Sequence, residues 1–233
     1  MPEATVRAFI FQDANGRSQI DRLVYRIKRM AQEESSISTK DRLIAAMIDA
    51  LRNRGYHGVG VNDLLATAQT PKGVLYHHFP GGKAELAVKA IESVAEQLGG
   101  GLEKIIQRAS DPLEAMTQWM NSAQKMLEKS NFHAGCPLAT IALESTEEDV
   151  EIRAALNKAF TLLRSKITKV LGSLGLPDHS AKATSALIVS AYEGALLQSR
   201  VAQDIEIMRQ TSEALISLVR LNLARLNDAG GKE

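Results

Sequence analysis

The part of the chain that decides the fold runs from Leu64 to Phe79 and reads LLATAQTPKGVLYHHF. It has the pattern of a short helix, a tight turn and a second short helix. Thr70 has the side chain of a helix N-cap, and Pro71 suits the first helical position, where its missing N–H costs nothing. This pattern predicts a helix-turn-helix, a motif that places its second helix in the major groove of DNA.

The second helix of this pair carries polar and small groups where a core helix would carry Leu and Ile. The predicted outer face consists of Lys72, Gly73, Tyr76 and His77. Val74, Leu75 and Phe79 can turn inward. We expect the end from Thr70 to Lys72 to enter the groove first, because Lys72 can donate to guanine and Pro71 can touch a thymine methyl.

Phosphate contacts are predicted from several other side chains. The phenol of Tyr76 can donate to a phosphate, and His77 can do the same or reach a base. Thr39 stands at a predicted helix N-terminus, where its hydroxyl and the nearby N–H groups can hold a phosphate. Lys83, at the start of a later helix, would hold a second phosphate. The alternative is that all of these are ordinary surface residues of a small helical domain.

Composition favours a helical protein and is compatible with DNA binding. The 233 residues are 45% hydrophobic but only 4% aromatic, which favours helix packing over a β-sandwich. The net charge is only +1, yet no acidic residue lies between Asp63 and Glu85, a stretch that contains Lys72 and Lys83. A binding face needs local positive potential rather than a basic whole chain.

Other classes of protein are disfavoured by what the sequence contains. Cys136 is the only cysteine, so no internal disulfide can form, and a reducing cytoplasm is the expected location. No apolar run is long enough to span a bilayer, so we expect no membrane partner. His133 lies near Cys136 without a third orienting group, and we predict no catalytic residue, no metal and no cofactor.

All elements that we predict from Ser38 onward are helices. Either Thr39 or Ser38 caps a helix that Gly55 ends, and Lys83 opens a helix in which Gly99–Gly101 is an end or a soft point. The remaining helices are predicted at 61–68, 71–78, 112–129, 137–145, 149–173, 180–201 and 204–227.

Residues 39–91 resemble the DNA-binding domain of the TetR family. The resemblance is carried by Gly55-Tyr56, Asp63-Leu64, Lys72–Phe79 and Lys83-Ala84-Glu85-Leu86. Pro80-Gly81-Gly82-Lys83 and Gly135-Cys136-Pro137-Leu138 further resemble the LmrA/YxaF-like branch, whose better-known members repress efflux or oxygenase genes and respond to drugs or flavonoids. Gly60 and Gln69-Thr70-Pro71 depart from the family pattern, which puts the base preference in doubt.

The resemblance implies an all-α fold and a regulatory function. It implies a three-helix helix-turn-helix domain at 37–98 and a larger helical ligand-binding and dimerisation domain at 99–227, with an extension at 1–36 and a tail at 228–233. The implied function is a dimeric repressor that binds a palindromic operator in double-stranded DNA and is released by a small apolar or aromatic effector. The alternative is a helical ligand-binding protein or enzyme that has lost DNA binding.

A ligand pocket is expected in the C-terminal part, where soft and flat apolar side chains occur. The candidates are Met116, Trp119, Met120, Phe132, Cys136 and Phe160, with Met126 nearby. The alternative is that these residues form an ordinary core. Cys136 precedes Pro137 and can cap the next helix, where backbone N–H groups favour a thiolate and an oxidant sensor. A buried and inert cysteine is the alternative.

The last two helices are expected to form a homodimer interface. The candidates are Ala191, Gly194 and Ala195, which let another backbone approach, and Leu215, Val219 and Asn222, which follow a heptad-like spacing. Packing within one chain is the alternative. A twofold dimer is favoured because it carries two helix-turn-helix domains, here called heads, and two heads on a palindrome double the DNA contacts.

The N-terminal segment carries an expectation of its own. Residues 1–29 are expected to lie outside the working protein, because family members usually begin a few residues before the first capped helix, where Met30 stands. The hexapeptide at 20–25, IDRLVY, can be encoded by ATAGACCGACTGGTCTAT, whose arms ATAGACC and GGTCTAT form an inverted repeat. We expect this DNA to be an operator. The alternatives are coincidence, or a basic arm from Arg22 to Arg29 that follows the DNA backbone.

Overall fold

The structure is a computed structural model that describes residues 37–230, so the expectations on 1–36 and 231–233 lie outside it. All regular structure in the described range is α-helical, which confirms the all-α fold class. The helices are α1 Thr39–Asn53, α2 Val61–Thr67, α3 Lys72–His78, α4 Gly82–Ile106, α5 Pro112–Lys129, α6 Pro137–Glu144, α7 Val150–Ser173, α8 Asp178–Ala202 and α9 Glu206–Gly230. The chain divides into two units, Met1–Arg42 and Leu43–Glu233, and the packing given below is that of the second unit.

Helix α1 begins at Thr39, and its cap is the preceding residue, Ser38. The Ser38 hydroxyl accepts the backbone N–H of Asp41 at 3.1 Å and donates to the Asp41 carboxylate at 2.7 Å. A serine that binds the third N–H of a helix is a standard N-cap, and an acidic residue in the first turn suits the positive end of the helix dipole. The hydrogen bonds therefore favour Ser38 over Thr39 as the cap.

The turn between α2 and α3 is held by Thr70 in a way that differs from the prediction. The Thr70 side chain is only 7% exposed, and its hydroxyl donates to the carbonyl of Ala68 at 2.9 Å. Its backbone N–H donates to the carbonyl of Leu65 at 2.9 Å. Pro71, not Thr70, occupies the N-cap position of α3. The predicted cap is wrong because the Thr70 hydroxyl donates to a carbonyl within the turn instead. Local hydrogen bonds of this kind commonly compete with capping for a Thr side chain.

Helix α4 passes through the three glycines at 99–101 without a break and is 25 residues long. A Cβ at Gly99 would come within 2.6 Å of the Cε atom of Lys166, so the long side chain of this α7 residue lies directly over the glycine. Gly100 and Gly101 have open space around them. The glycine run is therefore not the end of the helix, and a soft point within it stays a prediction.

Two large apolar cores meet along α4. The first is built from α1 to α4 together with α6 and α7, and its fully buried members include Met47, Leu75 and Phe79. The second surrounds Leu102 near the end of α4 and includes residues of α5, α7, α8 and α9. Burying a Leu, Met or Phe side chain contributes about 1.5–3 kcal/mol each, so Leu75 and Phe79 fix which face of α3 points outward.

Helix α1 ends at Asn53, and Gly55 turns the chain away from it. Gly55 has a positive φ of 75°, and its N–H donates to the carbonyl of Ala50 at 3.1 Å. A Cβ at Gly55 would overlap the carboxylate of Glu144. Both the backbone conformation and the space therefore require glycine here.

Two glycine-to-alanine changes should shift stability in opposite directions. Gly100→Ala should stabilise the protein by about 1 kcal/mol, because the site is helical and the new methyl group meets open space. Gly55→Ala should destabilise it by about 1–2 kcal/mol, because alanine is disfavoured at positive φ. Thermal unfolding followed by circular dichroism measures both. A destabilising Gly100→Ala would contradict a continuous α4.

Candidate functional site

The outer face of α3 is as predicted. Lys72, Gly73, Tyr76 and His77 are exposed, and Tyr76 is 47% exposed. Leu75 and Phe79 are buried beneath them, and Val74 is half-buried. The face thus offers an ammonium group, a phenol and an imidazole to the outside, while the role of each in DNA contact remains a prediction.

Two glycines shape this face. A Cβ at Gly73 would meet nothing within 4 Å, so nothing in the described part of the protein explains why the residue is glycine. An external surface that comes close to the α3 backbone would explain it. Gly82 has a positive φ of 67°, and a Cβ there would lie 3.2 Å from the Tyr76 ring. One edge of the Tyr76 ring therefore lies close to Gly82.

Lys83 lies beside α3 and is positioned by an aromatic ring. Its Nζ atom is 4.3 Å from the centroid of the Tyr56 ring, a cation–π contact. Partial burial lowers the pKa of Lys83, and the negative charge of Glu144 acts in the opposite direction. The Lys83 ammonium group therefore lies against an aromatic ring and within the electrostatic influence of Glu144.

The other three predicted DNA contacts, Thr70, Pro71 and Thr39, lie in different surroundings. Thr70 is buried in the turn and does not belong to the exposed face, so its predicted role at the leading end of α3 is not supported. Pro71 is exposed at that end. Thr39 begins α1, and its hydroxyl accepts a hydrogen bond from Arg42 at 3.3 Å.

A residue that the sequence did not single out joins α6 to the loop after α1. The carboxylate of Glu144, at the C-terminal end of α6, accepts the backbone N–H of His57 at 3.0 Å. His57 Nε2 also lies 3.9 Å from the carboxylate of Asp149. Glu144 also acts electrostatically on Lys83, so the C-terminal end of α6 interacts with both the loop after α1 and the start of α4.

The C-terminal part contains two cavities that share a wall. The first cavity, of about 170 Å³, is lined by residues of α1, α4, α5, α7 and α8 and by residues 134–137. The second cavity, of about 530 Å³, is more open and lies between α6, α7 and α8. Their shared wall consists of Gly135, Cys136, Glu193 and Leu196.

The predicted pocket residues divide between cavity and core. Trp119 and Cys136 line the first cavity, and Phe160 and Cys136 line the second. Met116 and Met120 line neither and are core residues, 2% and 1% exposed, because they lie on the face of α5 that packs into the second core. Phe132 also lines neither cavity, but it packs against the small cluster that contains Leu127 and Leu196, two residues of the first cavity wall. Met126 does line the first cavity.

Aromatic and polar groups stand together in the wall of the first cavity. Trp119 and Tyr192 stack with ring centroids 5.4 Å apart and planes 25° apart. Cys136 occupies the N-cap position of α6 as expected, but burial raises the pKa of its thiol well above the ordinary value, and the neighbouring Glu193 acts in the same direction. The thiolate that an oxidant sensor needs is therefore disfavoured, which supports the inert alternative.

The predicted dimer residues are only partly available at the surface. Ala195, Leu215 and Val219 are 3%, 5% and 0% exposed in a single chain, so the alternative of packing within the chain holds for them. Ala191, Gly194 and Asn222 are half-buried. Large apolar side chains are also exposed on α8 and α9: Leu187, Leu197, Val201, Leu221 and Leu226. Leu187, Leu197 and Val201 form an apolar stripe on α8. The seven-residue spacing of Leu187, Gly194 and Val201 is the sequence signal that could have revealed this stripe.

Neither a metal site nor a membrane span is found in residues 37–230. No group of three His, Cys, Asp or Glu side chains in that range is arranged to hold a metal ion. None of the helices described has the length and apolar content needed to cross a bilayer.

A short helix pair with an exposed polar second helix, fused to a larger helical part that contains cavities, defines a helix-turn-helix transcriptional regulator. Residues 43–90 match the family model for bacterial regulatory proteins of the tetR family. Residues 112–214 match the model for the C-terminal domain of LmrA/YxaF-like transcriptional regulators. The two models together cover almost two thirds of the chain, and the chain belongs to the TetR family, in its LmrA/YxaF-like branch.

Similar proteins support this assignment. The HTH-type transcriptional regulator LmrA of Bacillus subtilis is 24% identical over 182 residues, which cover 78% of this chain and 97% of LmrA. YxaF of the same organism is 27% identical and covers 72% of this chain and 87% of its own. A TetR transcriptional regulator of Legionella pneumophila has a similar fold, with a TM-score of 0.71 at 22% identity over 78% of this chain and 98% of that one.

Proposed function

We propose that the protein is a dimeric repressor that binds an inverted-repeat operator and is released by a small apolar or aromatic effector. The observation that carries the proposal is the exposed face of α3, built on the buried Leu75 and Phe79. We assign DNA binding to residues 37–98, and effector binding and dimerisation to residues 99–227.

The DNA contacts follow from the geometry of the face. Pro71 and Lys72 stand at its leading end and are proposed to meet base edges, while Gly73 lets the backbone come close to the DNA. Tyr76 and His77 donate to phosphates or bases, and Lys83 holds a phosphate. Thr39 is proposed separately as a phosphate contact through the start of α1.

The homodimer is proposed to form through α8 and α9. Leu187, Leu197 and Val201 are 47%, 53% and 78% exposed and follow one side of α8, and Gly194 lies among them. An exposed apolar stripe of this length is typical of a protein interface. A C2 dimer buries the same stripe on both copies and presents two heads to two half-sites.

The effector is proposed to bind in the first cavity. Arg52 of α1 and Val94, Gln97 and Leu98 of α4 form part of the wall, so a ligand there touches helices that also build the DNA-binding head. A ligand shifts the equilibrium between two head spacings only by its different affinity for the two states. The alternative, a ligand-binding protein or enzyme without DNA binding, would leave the exposed α3 face without a use.

Two lysine variants test the DNA interface. Lys83→Ala should weaken binding to every duplex and lower the slope of log affinity against log salt by about one, because one phosphate contact is lost. Lys72→Ala should also change the preference among base sequences. Fluorescence anisotropy across salt concentrations measures both, with Lys125→Ala, an exposed lysine of α5, as the control. If both variants match the control, the docking is wrong.

A bulky residue at Gly194 tests the dimer. A Cβ at Gly194 meets nothing within 4 Å of the same chain, so Gly194→Trp should fold and yet block the approach of a second copy. We expect a monomer in sedimentation and the loss of operator binding. Gly172→Trp is the matched control, because this exposed glycine of α7 is also unobstructed. A dimeric Gly194→Trp protein would place the interface elsewhere.

For the operator itself, we propose the DNA that encodes residues 20–25. The codons for Ile20 and Asp21 can be the reverse complements of those for Tyr25 and Val24, which gives the two arms of an inverted repeat. The gene sequence is the first test, because codons without this symmetry would end the proposal.

A pair of synonymous duplexes is the second test of the operator. ATAGACCGACTGGTCTAT and ATTGATAGATTAGTGTAC encode the same peptide, residues 20–25, but only the first contains the inverted repeat. Placed in the same flanking DNA, the first should shift in a gel at protein concentrations that leave the second free. Equal binding to the two duplexes would contradict recognition of the repeat.

A further inference from the structure

Glu193 is a half-buried acidic residue in the wall between the two cavities. It lies on α8 and lines both of them. In the sequence it is the only acidic residue between Asp178 and Asp204. An isolated carboxyl group at this depth costs stability unless its oxygens find partners.

One oxygen of this carboxyl group has no partner. The Oε2 atom is fully buried and makes no hydrogen bond to any residue that the structure describes. Burial raises the pKa of Glu193 above its ordinary value, and a hydrogen bond with the Cys136 thiol acts in the opposite direction. The Glu193 carboxyl group therefore favours its neutral form, and its Oε2 atom is an acceptor without a partner among the described residues.

The side chains that line the first cavity together with Glu193 suit a flat aromatic ring. The stacked Trp119 and Tyr192 supply aromatic surface in the first cavity, with centroids 5.4 Å apart, and Met126 adds a side chain that can adapt its shape. A planar ligand placed against these groups would bring its edge toward Glu193.

The charges around the cavities argue against a cationic ligand. Arg52 lines the first cavity, and Arg164 and Arg200 line the second, where Glu144 is also present. The remaining titratable groups in the walls are Cys136 and Tyr192, and burial raises the pKa of both, so both stay neutral. A protonated amine would face guanidinium groups as well as Glu193.

We propose that Glu193 selects the effector, and that it reads a hydroxyl or N–H group on the edge of an uncharged aromatic molecule. This inference rests on the proposed effector function of the first cavity. The Oε2 atom, which none of the described residues reaches, is the acceptor in this proposal, and the Glu193 side chain turns it toward the cavity to receive the donor of the ligand. A site with a buried acceptor rejects analogues that lack the donor, because binding such an analogue leaves the acceptor unpaired.

The test compares two probes of nearly equal shape, 2-naphthol and 2-methoxynaphthalene, by isothermal titration calorimetry. The parent protein should bind 2-naphthol about tenfold more tightly, the usual value of one net hydrogen bond. Glu193→Leu should bind the two equally, while Glu193→Gln, which keeps an acceptor oxygen, should retain the preference. Gln97→Leu, a polar residue in the same cavity, is the control and should also retain it.

Each other outcome contradicts a specific part of the account. Equal binding of the two probes by the parent protein would overturn the role of Glu193 while leaving the cavity as the effector site. If 2-naphthylmethylamine binds more tightly than 2-naphthol, Glu193 reads a cation and the inference is wrong. If no probe binds, the proposed effector class fails and this inference fails with it. Thermal melts of all variants establish that each is folded.

Discussion

The rest of the structure depends on α4 being one unbroken helix. Its first turns pack against the helix-turn-helix through Leu86 and Ile91, and its last turns pack into the second core through Leu102. The long side chain of Lys166 on α7 lies over Gly99. Because α4 belongs to both cores, it connects the exposed face of α3 with the helices that enclose the cavities.

Helix α6 provides a second connection between cavity and head. Its N-terminal end is Cys136, which borders both cavities, and its C-terminal end is Glu144, which accepts the N–H of His57. The helix is only eight residues long, so these two ends lie close together. For the effector proposed in the first cavity, α4 and α6 are therefore the two packed connections toward the helix-turn-helix.

The sequence predicted best what local chemistry decides. The outer face of α3 could be predicted because Pro71, Gly73 and the buried Leu75 and Phe79 act within a few residues of each other. The role of Thr70 was predicted wrongly because its hydroxyl can either cap α3 or donate to a carbonyl within the turn. The sequence does not show which of these hydrogen bonds forms.

Tertiary packing decided what the sequence could not. Met116 and Met126 look alike in sequence, yet one faces the core and the other the cavity, because the helices that cover α5 come from distant parts of the chain. In the same way Leu215 and Val219 were assigned to a dimer but pack within the chain. Glu144 lies 87 residues from His57, and no local pattern indicates that contact.

The central claim is that two copies of this chain act together on one symmetric DNA site. The most direct measurement is native mass spectrometry of the protein with its tightest-binding genomic fragment, and with the same fragment after one arm of the repeat has been scrambled. The account predicts two chains on the intact site, and much weaker binding to the scrambled one. A single chain per intact site, or equal occupancy of the two fragments, would contradict it.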